Sequence, residues 1–208
     1  MLKGRSPHSH PPMESLAKDI AACRICADRF AATATAHQPR PVFWVRPGAR
    51  ILIAGQAPGA RVHDSGRPFT DPSGDRLREW TGLDQHTFYD RSQVAILPMA
   101  FCFPGYNAKG ADLPPPPVCA QTWRQSVLAE LGSIRLTLLI GAHAQNWHLE
   151  NKVPVSKRVQ EWRAYGPNIF PLPHPSWRNN HWLKQNPWFS GDLLPALRKR
   201  VHQVLHDD

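Results

Sequence analysis

Short apolar runs alternate with stretches of helical character along most of this chain, and this alternation restricts the fold more than any other feature. Strands are predicted near residues 50–55, 93–100, 136–141 and 168–172. Helices are predicted near residues 13–27, 73–81, 120–131, 142–150 and 187–206. Strands that alternate with helices form a parallel sheet covered on both faces. The pattern predicts one α/β domain over residues 13–208, after a disordered tail at 1–12, with a linker at 31–48.

The charge balance favours an anionic partner. Lys and Arg total 25 against 16 Asp and Glu, which gives a net charge of +9. Nucleic acid is the commonest partner of such a basic chain, although some basic proteins have none. No apolar run approaches the roughly 20 residues of a membrane span, and the N-terminal segment lacks the apolar core of a signal peptide. We therefore expect a cytoplasmic protein without membrane association, whose cysteines are reduced thiols or metal ligands.

The first candidate site is a glycine-rich turn directly after a predicted strand. The apolar run 51–54 ends at GQAPG (residues 55–59), and a second turn, GRPF (residues 66–69), precedes the next helix. Ligands of open α/β sheets bind at the carboxyl ends of the strands, which makes this turn a predicted binding site. A phosphate-binding P-loop of a nucleotide hydrolase would need Lys and Ser or Thr after the turn, and Ala60-Arg61-Val62 supplies neither.

The four cysteines form a second candidate site. Cys23 and Cys26 have the CxxC spacing in the N-terminal helix region, Cys102 follows a predicted strand, and Cys119 opens the next predicted helix. Four thiolates without a leftover cysteine suit tetrahedral zinc or an iron–sulfur cluster. The alternative is four buried cysteines without a ligand. A metal centre would attach the N-terminal helix and the 103–118 loop to the sheet, which is a structural role.

A third candidate site follows the last predicted strand. Pro173 and Pro175 restrict the backbone on both sides of His174, which makes His174 a candidate hydrogen-bond donor held in place. The residues after it alternate between aromatic, apolar and cationic types: Trp177, Arg178, Trp182, Leu183 and Lys184. This composition is typical of a loop that contacts phosphates and inserts a wedge between bases. A helix-capping turn with a core tryptophan has the same composition.

These motifs, in this order, resemble the uracil-DNA glycosylase superfamily, and most closely its iron–sulfur families 4 and 5. The resemblance covers about residues 15–205 and rests on CxxC, GQAPG, GRPF, the later cysteine pair and HPS (residues 174–176). It implies an α/β/α sandwich with a central four-stranded parallel sheet. It also implies a [4Fe-4S] cluster on Cys23, Cys26, Cys102 and Cys119, with zinc as the alternative that thiolate chemistry leaves open. The implied function is base excision repair by a DNA glycosylase that hydrolyses N-glycosidic bonds, acting on DNA as a monomer.

The resemblance also assigns roles to individual residues around a nucleotide flipped out of the duplex. Gln56 and His174 are the implied catalytic residues, where His174 donates a hydrogen bond to the pyrimidine O2 as the base departs. The implied base-binding residues are Gly55, Ala57 and Phe69, with Phe69 stacking on the base. The implied DNA-binding residues are Ser176, Trp177 and Arg178.

Two positions depart from the family 4 pattern. Gln56 stands where that family usually has Glu, and an amide can orient water but cannot act as a base. Pro98 stands where that family has an Asn that distinguishes uracil from cytosine. Asp64 or His63 could supply the missing polar group, or both could be solvated turn residues. The second hypothesis is therefore a non-catalytic or weakly active DNA-binding homologue of the same fold.

Overall fold

The central element is a four-stranded parallel sheet in the order β2-β1-β3-β4. The structure is a computed structural model that describes residues 12–207. The predicted disordered tail therefore lies outside the described residues, apart from Pro12. The strands are β1 (Ile51–Ala54), β2 (Val94–Ile96), β3 (Leu136–Ile140) and β4 (Ile169–Leu172). β1 lies between β2 and β3, so the carboxyl end of β1 has a neighbouring strand on each side.

Helices cover both faces of this sheet. Those before β3 are α1 (Met13–Ala21), α2 (Ala27–Ala31), α3 (Ala60–Ser65), α4 (Pro72–Thr81), α5 (Gln85–Phe88) and α6 (117–129). The later ones are α7 (Gly141–His148), α8 (Val155–Gln160), α9 (Asn180–Gln185) and α10 (189–206). Both α6 and α10 contain a π-helical stretch, Ala120–Arg124 and Phe189–Leu193 respectively. Single-turn 3₁₀ helices form at Trp162–Ala164 and Trp177–Asn179.

The two faces of the sheet bury separate cores because successive strand residues point to opposite sides. Ile51 and Ile53 face one core, which includes Leu77 of α4 and Leu197 of α10. Leu52 faces the other core, packed with residues of α1 and α6. The predicted α/β/α sandwich with a four-stranded parallel sheet is therefore confirmed.

The N-terminal helix differs from the prediction of a single helix over 13–27. α1 ends at Ala21, and the CxxC motif lies in the turn before α2. Arg24 donates hydrogen bonds to the carbonyl oxygens of Ala21 and Cys23, at 3.3 and 2.9 Å. The contact with Ala21 satisfies an acceptor that the helix end leaves free. The prediction of one helix over residues 13–27 was therefore wrong, because the two cysteines occupy a turn between two short helices.

The predicted linker at 31–48 packs against the sheet. Val42 N–H donates to the carbonyl of Phe101 at 2.6 Å, and Trp44 forms an antiparallel bridge with Ile96 of β2. Val42 and Val45 are buried. The segment therefore covers the outer edge of β2, which would otherwise present unpaired backbone groups. Its prolines and small residues had predicted only a linker.

Candidate active site

The GQAPG turn leaves β1 at the carboxyl edge of the sheet and is tied to the segment that follows β2. The carbonyl of Gly55 accepts a hydrogen bond from Met99 N–H at 2.9 Å, and that of Gln56 accepts one from Ala100 N–H at 3.1 Å. Gly59 then caps the amino end of α3. The Gln56 side chain is half-buried at this edge. Hydrogen bonds from the segment after β2 therefore fix the backbone at Gln56.

Phe69 of the GRPF turn lies beside this first motif. A methyl group built on Gly55 would meet Cζ of the Phe69 ring at 3.8 Å, so ring and glycine are neighbours. The ring also contacts Phe88 edge-on, with the ring centroids 6.0 Å apart. Phe69 is half-buried, so part of its ring remains open to a ligand. The structure thus brings GQAPG and GRPF together, as the sequence predicted for one site.

The backbone of Phe69 is strained and is held by its surroundings. Its φ is +55°, a left-handed conformation that bulky residues rarely adopt. The Phe69 carbonyl accepts hydrogen bonds from the Tyr89 hydroxyl at 2.9 Å and from Arg78 Nη1 at 3.3 Å. Gly74 in α4 packs so closely that a Cβ there would lie 1.9 Å from this oxygen. Strain of this kind, about 1–3 kcal/mol, persists where neighbours over-determine the conformation, and it clusters at functional sites.

His174 lies two residues beyond β4 at the same edge. Asn179 Nδ2 donates to the His174 carbonyl at 2.7 Å, and Arg76 of α4 donates to the Ser176 carbonyl at 3.0 Å. These bonds fix the backbone of the HPS loop. The predicted DNA-binding residues form its outer face, where Trp177 is 74% exposed, Arg178 is exposed and Ser176 is half-buried.

The environment of His174 favours a neutral ring. More than a third of its surface is accessible, yet the surrounding protein atoms desolvate the imidazole and lower its pKa. The nearby carboxylates of Asp71 and Asp112 raise the pKa, Arg178 lowers it further, and desolvation dominates. Burial disfavours the charged form of histidine. At neutral pH His174 is therefore a neutral imidazole that can donate one hydrogen bond.

The segment after β2 lacks an amide at the position of Pro98, and its backbone is fixed by a buried arginine. Arg124, fully buried in α6, donates to the carbonyls of Leu97 and Pro98 at 3.1 and 2.9 Å. Its other Nη nitrogen lies 2.7 Å from Nε2 of His148, whose pKa is lowered to about 3 by burial and by the Arg124 charge. His148 is therefore a neutral acceptor, and the guanidinium binds three groups without a carboxylate.

His63 and Asp64, the candidate replacements for the missing amide, lie in α3 and not in a turn. Arg40 Nη1 donates to both of their carbonyls, at 2.6 and 2.7 Å. The His63 ring packs among aromatic rings, 5.1 Å from that of His37 and 6.1 Å from that of Phe103. Burial lowers its pKa, as does the nearby His37. Asp64 is exposed.

The four predicted metal ligands line one cavity. Cys23 and Cys26 come from the turn between α1 and α2, Cys102 from the loop after β2, and Cys119 from the first turn of α6. The cavity has about 400 Å³ of atom-free space, partly open to solvent, and its other walls are mainly apolar. Among residues 12–207, no group of three or more His, Cys, Asp or Glu is placed to hold a metal ion.

Burial acts strongly on these thiols. Burial, with smaller contributions from the neighbouring cysteines, raises the pKa of Cys102 to about 12 and that of Cys119 to about 11. Backbone N–H groups oppose the shift, because Arg40 N–H donates to the Cys102 sulfur and Phe101 N–H to the Cys119 sulfur at 3.4 Å. Four thiolates in this cavity would need a positive centre among them. The donor set fits such a centre.

Several residues that hold this site in place were not anticipated from the sequence. They are Asp71, Arg76, Arg78, Tyr89, Asp112, Arg124 and Asn179. Asp71 alone carried a local signal, because Asp followed by Pro and Ser at a helix start is typical of an N-cap. It caps α4 by accepting a hydrogen bond from Gly74 N–H at 3.3 Å. The others act through contacts distant in sequence.

The fold and the position of its motifs define an α/β protein whose ligand site lies at the carboxyl edge of a parallel sheet. Residues 42–198 match the sequence model of the uracil DNA glycosylase superfamily, and the chain belongs to that superfamily. Membership in this superfamily indicates DNA glycosylase activity in general, with DNA as the partner. Within residues 12–207, no helix has the length and apolar character to cross a membrane.

Proposed function

We propose that the chain excises uracil or another deaminated base from DNA by hydrolysis of the N-glycosidic bond. The observation that carries this proposal is the convergence of Gly55, Phe69 and the His174 loop at one edge of the sheet. A flipped base would stack on the open part of the Phe69 ring. Backbone groups of Gly55 and Ala57 would contact the base and sugar, since a glycine permits close approach.

His174 would act on the departing base. As the bond between C1′ and the base nitrogen breaks, its electron pair stays with the base, and negative charge develops on the pyrimidine O2. A hydrogen bond from the neutral imidazole of His174 stabilises this charge more in the transition state than in the ground state. The lowered pKa of His174 supports this role, because the ring needs one N–H and no positive charge.

Gln56 would orient the water that attacks C1′ of the sugar cation. Water then forms the new C1′–O bond and loses one proton, and the departing base anion accepts one. An amide cannot accept that proton as a base, so the proton goes to solvent or to the base itself. We therefore expect excision to be slower than with a carboxylate at position 56.

The surface of the HPS loop would bind the DNA backbone around the lesion. Arg178 and Ser176 would contact phosphates, and the exposed Trp177 would enter the stack that the flipped nucleotide leaves. An apolar ring that is 74% exposed loses little protein packing when it inserts between bases. The base preference would be broad, since Pro98 offers no side-chain amide and its carbonyl is bound to Arg124.

We further propose that the chain belongs to the iron–sulfur branch of the superfamily and holds a [4Fe-4S] cluster on Cys23, Cys26, Cys102 and Cys119. Four thiols that line one apolar cavity support a cluster, because thiolates are the ligands that hold such clusters, and zinc on the same four thiolates is the alternative. When bound, the cluster would supply a structural cross-link with no part in bond cleavage. The residues would join the α1–α2 turn to β2 and α6.

The experiment that tests the proposed activity is a single-turnover cleavage assay on duplexes that carry uracil, hypoxanthine or xanthine. Wild type should leave an abasic site in at least one duplex, and His174→Ala should not at matched times. His202→Ala, an exposed histidine of α10, is the matched control and should cleave like wild type. If wild type binds all three duplexes and cleaves none, the non-catalytic DNA-binding homologue is the correct function, and Gln56 favours that outcome chemically.

A further inference from the structure

A broad cleft lies next to Phe69, between the GRPF turn and the outer edge of β2. It has about 1170 Å³ of atom-free space, much of it open to solvent. Its lining includes Trp44, Arg67, His86, Tyr89, Asp90 and Arg91, together with Gln85. None of these residues would contact the base in the proposed excision, although Tyr89 holds the Phe69 carbonyl. The cleft is therefore distinct from the base site in the residues that form it.

Two arginines of this cleft are held flat against aromatic rings. The guanidinium carbon of Arg67 lies 3.6 Å from the centroid of the Tyr89 ring, and that of Arg91 lies 3.7 Å from the Trp44 ring. The rings are themselves fixed, because Trp44 Nε1 donates to the Tyr89 carbonyl at 3.0 Å and the Tyr89 hydroxyl is hydrogen-bonded. Stacking orders each guanidinium plane and leaves its terminal Nη groups to bind an anion, although the Nε of Arg67 is buried.

Within the part of the chain that the structure describes, neither Arg67 nor Arg91 is neutralised by a carboxylate in a salt bridge, so both can bind an anion. Residues 12–207 contain two salt bridges, Arg78 with Asp75 and Arg163 with Asp192, and neither uses a cleft arginine. The one carboxylate of the cleft, Asp90, accepts hydrogen bonds from Ser92 and Gln93, which lower its pKa to about 2. Asp90 is thus ionised but already paired with neutral donors.

The cleft is continuous with the proposed base site. Arg67 precedes Phe69 by two residues, and the Tyr89 ring beneath Arg67 holds the Phe69 carbonyl through its hydroxyl at 2.9 Å. A group bound at Arg67 would therefore lie next to whatever stacks on Phe69. We propose that this cleft binds the phosphodiester backbone of the DNA strand beside the flipped nucleotide, through the stacked guanidiniums of Arg67 and Arg91. This inference rests on the proposed DNA substrate.

The test is DNA binding, measured by fluorescence anisotropy with an undamaged duplex over a range of salt concentrations. Each phosphate contact contributes about 0.9 to the slope of log K against log salt. The double variant Arg67→Ala, Arg91→Ala should therefore lose about 1.8 of the slope and bind at least roughly ten-fold more weakly, as for lost charge-assisted hydrogen bonds. Lysine at both positions should retain most of the slope and lose part of the affinity, because lysine lacks the planar fork.

The matched control is the double variant Lys157→Ala, Lys199→Ala, which removes two exposed cations of α8 and α10. Its slope should stay within one contact of wild type. Arg91→Ala alone guards against a disturbed GRPF turn, since Arg91 is exposed and outside that turn, and it should lose about one contact. A slope and affinity of the double alanine variant equal to those of wild type, with both proteins folded, would overturn the proposal.

Two further measurements distinguish DNA binding in the cleft from free phosphate binding and from base excision. If inorganic phosphate raises the melting temperature of wild type and not of the double variant while their DNA binding is equal, the cleft binds free phosphate and the proposal is wrong. Because the duplex carries no lesion, the result does not depend on excision. If wild type excises a base and the double alanine variant keeps the wild-type salt slope, DNA binding in the cleft is refuted and the proposed activity is retained. If the slope of the variant changes and wild type excises no base, DNA binding in the cleft is supported and the proposed activity is refuted.

Discussion

Gly74→Ala tests whether the strained backbone of Phe69 is held in place by α4. The added Cβ would lie 1.9 Å from the Phe69 oxygen and 2.6 Å from its carbonyl carbon, and both are backbone atoms that cannot rotate away. A normal non-bonded contact is about 3.5 Å long, so the added Cβ would overlap the oxygen by more than roughly 1 Å. Either the start of α4 or the GRPF turn must move by about that distance. The hydrogen bonds from Tyr89 and Arg78 to that oxygen would then lengthen.

The size of the effect follows from opposing contributions. Overpacking costs about 1–3 kcal/mol, and weakening two hydrogen bonds costs roughly 0.5–1.5 kcal/mol each. Alanine gains about 0.5–1 kcal/mol over glycine within a helix, and partial release of the strain at Phe69, about 1–3 kcal/mol in total, also offsets the cost. We expect a net loss of about 1–2 kcal/mol, or roughly 2–8 °C in Tm for a domain of this size.

The larger effect should be on base capture. If Phe69 moves away from Gly55, its stacking on the base is lost, which is worth about 1–3 kcal/mol, a roughly 5- to 150-fold rise in apparent Kd for the flipped base. The assays are thermal unfolding and single-turnover excision as a function of protein concentration. Gly132→Ala is the control, because a Cβ at Gly132 meets nothing within 4 Å. A Gly74→Ala protein that matches Gly132→Ala in both Tm and excision would refute the reasoning.

Five further outcomes are expected. His174→Ala should reduce single-turnover excision by about 10²–10³ with little change in DNA affinity, and an unchanged rate would remove His174 from the chemistry. Because burial lowers the pKa of His174, the neutral ring persists as the pH falls below about 6.5, and excision should decline only below that lowered pKa. Gln56→Glu should maintain or raise the rate if residue 56 orients water. Protein purified without oxygen should be brown and contain iron, and Cys102→Ser should lower its solubility before it alters excision, whereas zinc without iron would contradict the cluster. Arg178→Ala should flatten the salt dependence of DNA binding by about one phosphate contact, and an unchanged slope would mean that Arg178 faces elsewhere.

The positions of the strands and the identity of the main motifs followed from the sequence. Runs such as Ile51–Ala54 and Ile169–Leu172 are short and apolar because a parallel sheet buries both of its faces. The turns that follow them were recognisable as site elements, since the carboxyl ends of parallel strands share one edge. The order of the strands, β2-β1-β3-β4, was not predicted, because it depends on which backbones pair.

Short helices were largely missed, and long ones were placed with errors at their ends. α3, α5, α8 and α9 span four to six residues, which is too few for a 3.6-residue period to be recognised. The early end of α1 depends on the Arg24 side chain and on the position of the CxxC thiols around the cavity. Neither can be inferred from helix propensity, because propensity is a weak preference that tertiary contacts override.

The electrostatic state of the site was decided by the tertiary structure alone. The sequence identified His174 as a donor, but its neutral ring depends on atoms that surround it, with Asp71, Asp112 and Arg178 as the charged neighbours. Likewise, Arg124 resembles any surface arginine in the sequence, yet it is fully buried and fixes the carbonyls of Leu97 and Pro98. Residue type determines which groups can donate, accept or ionise. Desolvation and charge–charge distances exist only after distant segments pack together, and they determine which of those groups do so.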